Sequence, residues 1–102
     1  MAVTLINAFI VPEDQEAAFL EDWKQTTAVF SRAPGFIETH MHRNTGVGDG
    51  TFRFINIALW ETAQAWHDAI TSNPPGEATL PGVKAHPAIY EPIINKPAPR
   101  QK

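Results

Sequence analysis

Two segments of the chain are apolar at most positions over nine residues, and in each of them both alternating sets of side chains are apolar. The first runs from Val3 to Val11 and is interrupted by Asn7, and the second runs from Phe52 to Trp60 and is interrupted by Asn56. A strand with two apolar faces is buried on both sides, so each segment predicts a central strand of a sheet.

A helical pattern follows each of these strands. Pro12 and the acidic residues after it suit a helix start, and Pro34-Gly35 ends the helix. Thr62 is a typical N-cap for a second helix, which stops by residues 72–76. The inward stripe of the first helix is Phe19, Leu20, Trp23, Thr27 and Phe30, and that of the second is Trp66, Ala69 and Ile70.

Two further strands are weaker in pattern. Residues 36–43 predict an edge strand, because Glu38, His40 and His42 share one face. Residues 44–50 suit a glycine-rich hairpin connection, and residues 88–94 predict the fourth strand. The stretch 73–85 is rich in proline, glycine and small residues, and its length favours a functional loop such as a lid.

The order strand, helix, strand, strand, helix, strand predicts an α+β fold, the split β-α-β sandwich, with both helices on one face of a four-stranded sheet. We expect the first and third strands to be adjacent and parallel, which would bring Asn7 close to Asn56. A buried amide without a partner costs roughly 1–3 kcal/mol, so each amide must bond to backbone, water, the other amide or a ligand.

The length of 102 residues fits one domain, taken as residues 1–95, with a proline-rich tail at 96–102. A domain of this size hides only about two-thirds of its unfolded surface. The sheet face away from the helices is aliphatic in both central strands, and leaving it bare would expose a large apolar patch. The sequence therefore predicts a homodimer.

Charge and composition narrow the possible partners. The chain has 8 Lys and Arg against 11 acidic residues, with no basic run, which argues against nucleic acid. It has neither the ~18 consecutive apolar residues of a membrane span nor the pattern of a signal peptide, so we expect a cytoplasmic protein without a membrane partner. The lack of cysteine excludes disulfides, thiolate metal sites and a cysteine nucleophile.

Few residues stand out as chemistry-bearing. The pair His40 and His42 is incomplete as a zinc site, so no metal is predicted. His86 precedes the predicted fourth strand, where it is either a proton acceptor or a loop histidine bonded to backbone. Trp66 either belongs to the core or lines a flat aromatic ligand. Neither serine has a nucleophile-elbow motif, and residues 46–50 do not precede a helix as a phosphate loop would.

Five short pieces occur together in order: Ile6-Asn7-Ala8-Phe9, Val11-Pro12-Glu13, Pro34-Gly35-Phe36, the run from Phe54 to Glu61, and the run from His86 to Glu91. With these pieces the chain resembles the antibiotic biosynthesis monooxygenase family of dimeric α+β barrels over roughly residues 3 to 94. The resemblance implies a ferredoxin-like antiparallel sheet and homodimers in which two sheets pack face to face.

The family resemblance also bears on cofactors. The family that the chain resembles includes oxygenases that convert phenolic polyketides to quinones without metal or flavin. It also includes a branch that degrades haem. Asn7 matches the asparagine of the haem branch. The position of that branch's tryptophan falls at Ala69, however, and no histidine stands where its iron ligand is expected. The resemblance therefore implies no bound cofactor.

The resulting hypothesis is a cofactor-independent monooxygenase that joins a small quinol-like or anthrone-like aromatic with dioxygen. Asn7 would be the donor to an oxyanion and His86 the base. The substrate-binding residues would be Trp66, Phe54, Tyr90, Asn56 and Trp23. The alternative from another class is a non-catalytic small-molecule-binding or stress-response protein that uses the same pocket.

Overall fold

The computed structural model describes residues 2–73 and 80–99. The elements follow the predicted order and form an α+β fold. They are β1 (Val3–Ile10), a 3-10 turn (Glu13–Gln15), α1 (Glu16–Phe30), β2 (Phe36–Arg43), β3 (Phe54–Trp60), α2 (Ala63–Ser72) and β4 (Lys84–Tyr90). Within the described residues, no helix is both long and apolar enough to cross a bilayer.

The four strands form one sheet in the order β2-β3-β1-β4. The two apolar strands are central and β2 is an edge strand, as predicted. The expectation that β1 and β3 are parallel is wrong, because every neighbouring pair is antiparallel. The chain turns back directly from β2 into β3, so β3 runs antiparallel to β2. Strand β3 is also antiparallel to its other neighbour β1, and β1 and β2 therefore run in the same direction. Asn7 and Asn56 are nevertheless directly opposite each other.

Both helices pack on one side of the sheet, here called the covered face. Phe19 of α1 packs with Phe9 and Phe54, and Ala69 of α2 packs with Leu5 and Trp60. The ring centroids of Phe19 lie 4.8 Å from Phe9 and 5.2 Å from Phe54. Burial of these large rings supplies much of the favourable free energy of so small a core.

Two local signals place the helices against the sheet. The Thr62 hydroxyl accepts a hydrogen bond from the backbone N–H of Ala65 at 3.0 Å, which confirms the predicted cap. Gly35 ends the connection from α1 with a φ of 91°, in the left-handed region that favours glycine. A Cβ on Gly35 would lie only 2.5 Å from Cβ of Ala65, so the absence of a side chain lets α2 approach this turn closely.

The fourth strand lies earlier than predicted, at Lys84–Tyr90 and not at residues 88–94. It pairs along β1 from Ile10 to Thr4, and the length of β1 sets this range. Of the predicted loop at 73–85, residues 74–79 lie outside the described residues and residues 84–85 belong to β4. After Tyr90 the chain continues as an exposed segment without regular structure, residues 91–99.

The other side of the sheet is here called the open face. Its centre is aliphatic, and Ile57 in the middle of β3 is 37% exposed. Strand register places Glu38, His40 and His42 of β2 and Lys84, His86 and Tyr90 of β4 along its two margins.

Candidate functional site

A cavity of about 210 Å³ lies between the covered face and the helices. The sheet contributes residues from β1, β2 and β3, and α2 contributes Trp66. Helix α1 lines the opposite side with Phe19, Asp22, Trp23, Thr26, Thr27 and Phe30. These six positions follow the i, i+3, i+4 spacing of one helix face, and they include every member of the predicted stripe except Leu20.

Two strand amides line the cavity. Asn56 is 8% exposed, and its Oδ1 accepts a hydrogen bond from the Thr39 hydroxyl at 2.5 Å. The Oδ1 of Asn7 accepts from the backbone N–H of His86 at 3.1 Å. Because each amide oxygen is engaged by the protein, each amide nitrogen is left as a donor. In the described part of the chain, neither nitrogen donates to another protein group.

Aromatic rings surround the amides. Trp23, Phe30, Phe36, Trp60 and Trp66 all line the cavity. Trp60 packs edge-to-face on Phe36, with ring centroids 5.4 Å apart. Its indole N–H is buried and has no acceptor among residues 2–73 and 80–99. Flat apolar walls combined with free N–H donors suit an aromatic molecule that carries an oxygen acceptor.

Asp22 is the only residue with an ionisable side chain among the described residues that line the cavity. It lies on the exposed side of α1, at the cavity edge. Sequence analysis missed it because the inward stripe was taken from apolar residues and Thr27 alone. The helical spacing was the signal that could have found it, since Asp22 and Thr26 each precede a member of the stripe and follow Phe19 by three and seven residues.

The structure places four of the seven predicted site residues at the cavity: Asn7, Asn56, Trp23 and Trp66. Phe54 is 1% exposed and lies within the core, where it does not line the cavity. Tyr90 is 52% exposed and lies opposite Thr4, on the open face.

His86 meets Asn7 through its backbone and not through its ring. It lies within β4 opposite Ala8, whereas Pro87 lies opposite Asn7. Successive side chains of a strand alternate between faces, so the imidazole is on the open-face side. The His86 ring packs instead against Phe52, with centroids 5.7 Å apart. The peptide N–H of His86 therefore orients the Asn7 amide, while the imidazole lies away from the cavity.

Residues that could ligate a metal or haem iron do not gather at this site. Within the described ranges, no three His, Asp or Glu side chains form a potential metal group. His40 contacts Glu38 at 3.3 Å, and Nδ1 of His42 lies 3.3 Å from the carbonyl oxygen of Ile55. Among the described residues that line the cavity there is no histidine, and the cavity volume is small for a porphyrin. These residues do not fit haem.

Comparison with known proteins gives the class of this fold and cavity. The model of the antibiotic biosynthesis monooxygenase family matches residues 2–78. The chain belongs to that family, as the sequence resemblance predicted. Among curated protein sequences, none matches the chain significantly.

Solved structures share the fold over almost the whole chain. A candidate monooxygenase from Shewanella loihica PV-4 is 28% identical, with a TM-score of 0.77, covering 92% of this chain and 96% of its own. SnoaB, a cofactor-independent oxygenase from Streptomyces nogalater, is 23% identical, with a TM-score of 0.69 and coverages of 95% and 98%. The haem degrader MhuD from Mycobacterium tuberculosis is 21% identical, with a TM-score of 0.67 and coverages of 93% and 99%.

Proposed function

We propose that the protein is a cofactor-independent monooxygenase that oxidises a small, electron-rich aromatic of the quinol or anthrone type with dioxygen. The observation that carries this proposal is the pair Asn7 and Asn56, adjacent in the sheet, with both oxygens engaged and both nitrogens free beside an aromatic-walled cavity. Family membership and the similarity to SnoaB support the reaction class.

The cavity volume favours a compact substrate. Pockets for drug-sized ligands typically enclose about 300–1,000 Å³. A cavity of about 210 Å³ falls below that range. This size, together with the lack of a histidine among the described lining residues, favours a compact aromatic over the haem that MhuD degrades.

The amide donors suit the charge that such a reaction develops. Removal of a proton from an anthrone carbon or a quinol hydroxyl leaves an anion whose charge rests largely on oxygen. The amides of Asn7 and Asn56 stabilise that oxygen, and preorganised donors of this kind strengthen as charge builds. The anion is then electron-rich enough to reduce dioxygen directly.

The overall conversion of an anthrone balances without an added reductant. The CH2 group and O2 give a ketone C=O and water, so the substrate carbon is oxidised by four electrons and dioxygen is reduced by four. One oxygen atom enters the product and the other leaves in water. We assign the first proton transfer to the Asp22 carboxylate, because among the described residues it is the ionisable side chain that lines the cavity.

A second candidate function is binding without turnover. The position of the His86 ring favours it, because the cavity then lacks the imidazole base that the sequence suggested. Under this reading the same donors and rings hold an aromatic ligand, and no dioxygen is consumed.

We also propose that the working form is a homodimer joined through the open face. The aliphatic centre of that face supports this, since Ile57 is 37% exposed in the isolated chain. Sedimentation at micromolar concentration tests it, and a stable monomer would contradict it.

Oxygen uptake with a panel of compact quinols and anthrones tests the enzymatic proposal. Asn7→Ala should lower kcat by about 10²–10³-fold, the usual effect of removing one oxyanion donor. Asp22→Asn should lower it by about 10²-fold if the carboxylate takes the proton. His86→Ala keeps the peptide N–H that bonds Asn7 and removes only an imidazole that lies away from the cavity. Its kcat should therefore fall by less than about threefold.

The outcomes separate the two candidate functions. Thermal melts of all three variants must show a folded protein. A large loss of kcat in His86→Ala with no loss in Asp22→Asn would show that the imidazole, and not the carboxylate, accepts the proton. Tight ligand binding by equilibrium dialysis without any oxygen uptake would leave the binding protein as the function.

A further inference from the structure

We infer that Thr39 is a positioning residue that determines which ligand groups the cavity accepts at Asn56. Its hydroxyl lets the Asn56 amide present either its nitrogen or its oxygen to a ligand. The two amides of the cavity are adjacent, but their partners differ in kind: the Oδ1 of Asn7 accepts from a peptide N–H, whereas the Oδ1 of Asn56 accepts from a hydroxyl. This inference rests on the proposed function and names a specificity-determining residue of the same site.

The partner of Asn7 holds that amide in one orientation. A peptide N–H is a donor and carries no acceptor atom. If the amide turned over, its NH2 group would face the N–H of His86, and the hydrogen bond of 3.1 Å would be lost. Asn7 therefore presents its nitrogen to the cavity, and this position suits a ligand atom that accepts a hydrogen bond.

The partner of Asn56 allows two orientations. A hydroxyl has one donor and two acceptor lone pairs, and its hydrogen rotates to suit its neighbour. In the structure the Thr39 hydroxyl donates to Oδ1 of Asn56, so the amide nitrogen is the donor toward the cavity. With the amide turned over, its nitrogen would donate to Oγ1 of Thr39 and its oxygen would face the cavity. The number of hydrogen bonds within the protein is the same in both orientations.

Burial makes the orientation of this amide important. Asn56 is 8% exposed, and Thr39 is half-buried and lines the same cavity. An amide with so little access to water needs partners in the protein or the ligand, because a buried donor or acceptor without a partner is costly. Thr39 meets this need in either orientation, so the ligand selects which atom of Asn56 it contacts.

The two amides thereby distinguish two positions on a ligand. The Asn7 position takes an acceptor, whereas the Asn56 position takes an acceptor or a donor. In the proposed oxidation of a quinol, a reacting oxygen begins as a hydroxyl, becomes an oxyanion and ends as a carbonyl. Asn56 can match all three forms with a suitable hydrogen bond. We therefore assign the oxygen that changes its protonation state to Asn56, and a permanent acceptor to Asn7.

Two compact bicyclic probes of similar size test this inference. Indole offers an N–H donor and no oxygen acceptor, whereas 1-indanone offers a carbonyl acceptor and no donor. Calorimetric titration gives the Kd of each probe for the wild type and for full-length variants. The readout is the ratio of the two Kd values, because a general loss of packing weakens both probes together.

Two variants should move this ratio in opposite directions. Thr39→Val leaves one buried amide atom of Asn56 without a partner. Buried N–H groups without a partner are rarer than under-satisfied carbonyl oxygens, so the nitrogen should stay on the cavity side. Indole should then weaken by at least about fivefold relative to 1-indanone. Asn56→Asp at pH 8 offers only acceptor oxygens, and 1-indanone should weaken by at least about tenfold relative to indole.

Two controls separate the role of the hydroxyl from a structural effect. Thr39→Ser retains a hydroxyl and should keep the wild-type ratio within about twofold. Thr71→Val removes a hydroxyl that bonds the carbonyl oxygen of His67 on the exposed side of α2, away from the cavity. It should leave both Kd values within about twofold. Thermal melts must show that all variants are folded.

NMR of the wild type tests the orientation directly. In the 1-indanone complex, the side-chain NH2 protons of Asn56 should show nuclear Overhauser effects to the ligand. In the indole complex, they should show stronger effects to the methyl group of Thr39. The NH2 protons of Asn7 should keep the same protein neighbours in both complexes.

The outcomes separate this inference from the proposed function. If neither probe binds and no quinol or anthrone supports oxygen uptake, both fail. Oxygen uptake together with an unchanged Kd ratio in Thr39→Val and Asn56→Asp would overturn the inference and leave the proposed function standing. Binding of 1-indanone without any binding of indole would show that Asn56 is a fixed donor. That result, or identical neighbours of the Asn56 NH2 protons in both complexes, would also overturn the inference.

Discussion

The two faces of this sheet differ in what completes them, although the same strands build both. On the covered face, α1 and α2 close over polar groups, so Asn56 is buried and Asn7 is half-buried, each with a fixed partner. On the open face, the register neighbours Ile6 and Ile57 carry no polar group and remain partly exposed. The helices thus shield the oriented amides of the covered face, whereas nothing in the described chain covers the aliphatic centre of the open face.

The largest expected contrast comes from neighbouring residues of β3. Phe54→Ala empties a position that is 1% exposed and should lower the free energy of unfolding by about 3–5 kcal/mol. Ile55→Ala, on the open face, should cost less than about 1.5 kcal/mol under conditions that keep the chain monomeric. Urea unfolding at low protein concentration measures both, and equal losses would show that the two faces are equally packed.

A smaller effect should follow from Gly35→Ala. Alanine at this position would have to adopt the left-handed backbone conformation, and its Cβ would lie 2.5 Å from Cβ of Ala65. We therefore expect the free energy of unfolding to fall by about 2–4 kcal/mol. Gly46→Ala is the control, because Gly46 has a similar φ of 93° with no atom near its Cβ position. Its cost should be about 1–2 kcal/mol. Matching melting temperatures for the two variants would rule out a tight contact at Gly35.

The smallest expected effect concerns the hydrogen bond beneath the cavity. Thr39→Val keeps the shape of the side chain but leaves Oδ1 of Asn56 without its donor, at a cost of about 1–3 kcal/mol. Thr39→Ser retains the hydroxyl and should recover most of that loss. Thermal denaturation compares the two, and if valine were as stable as serine, water would be replacing the threonine.

Sequence patterns predicted the parts of the fold that depend on local spacing. Apolar alternation located both central strands, and their expected adjacency brought Asn7 close to Asn56, although the strands are antiparallel and not parallel. Helical spacing identified the stripe containing Phe19 and Trp23, which packs against that face. These predictions succeeded because burial on a strand or helix imposes a period of about 2 or 3.6 residues.

The errors concern contacts that no local pattern encodes. The apolar Ile93-Ile94 drew the predicted fourth strand toward the tail, whereas pairing with β1 sets it at Lys84–Tyr90. With the strand displaced, His86 was expected in a loop near Asn7, although its side chain is on the open-face side. A shift of one residue is enough to exchange the faces of a strand. Thr39 gained its place beside Asn56 from the pairing of β2 with β3, whereas the helical spacing alone could have located Asp22.

The hydrogen bond between the peptide N–H of His86 and Oδ1 of Asn7 links the backbone of edge strand β4 to a side chain that lines the cavity. Pro87, opposite Asn7, has no N–H to give, so the side chain of a central strand holds the edge strand at this point. A bound molecule that turns the Asn7 amide must either strengthen or break the hydrogen bond from the His86 peptide N–H. The exchange rate of the His86 amide with deuterium therefore records occupancy of a site that its own imidazole does not touch.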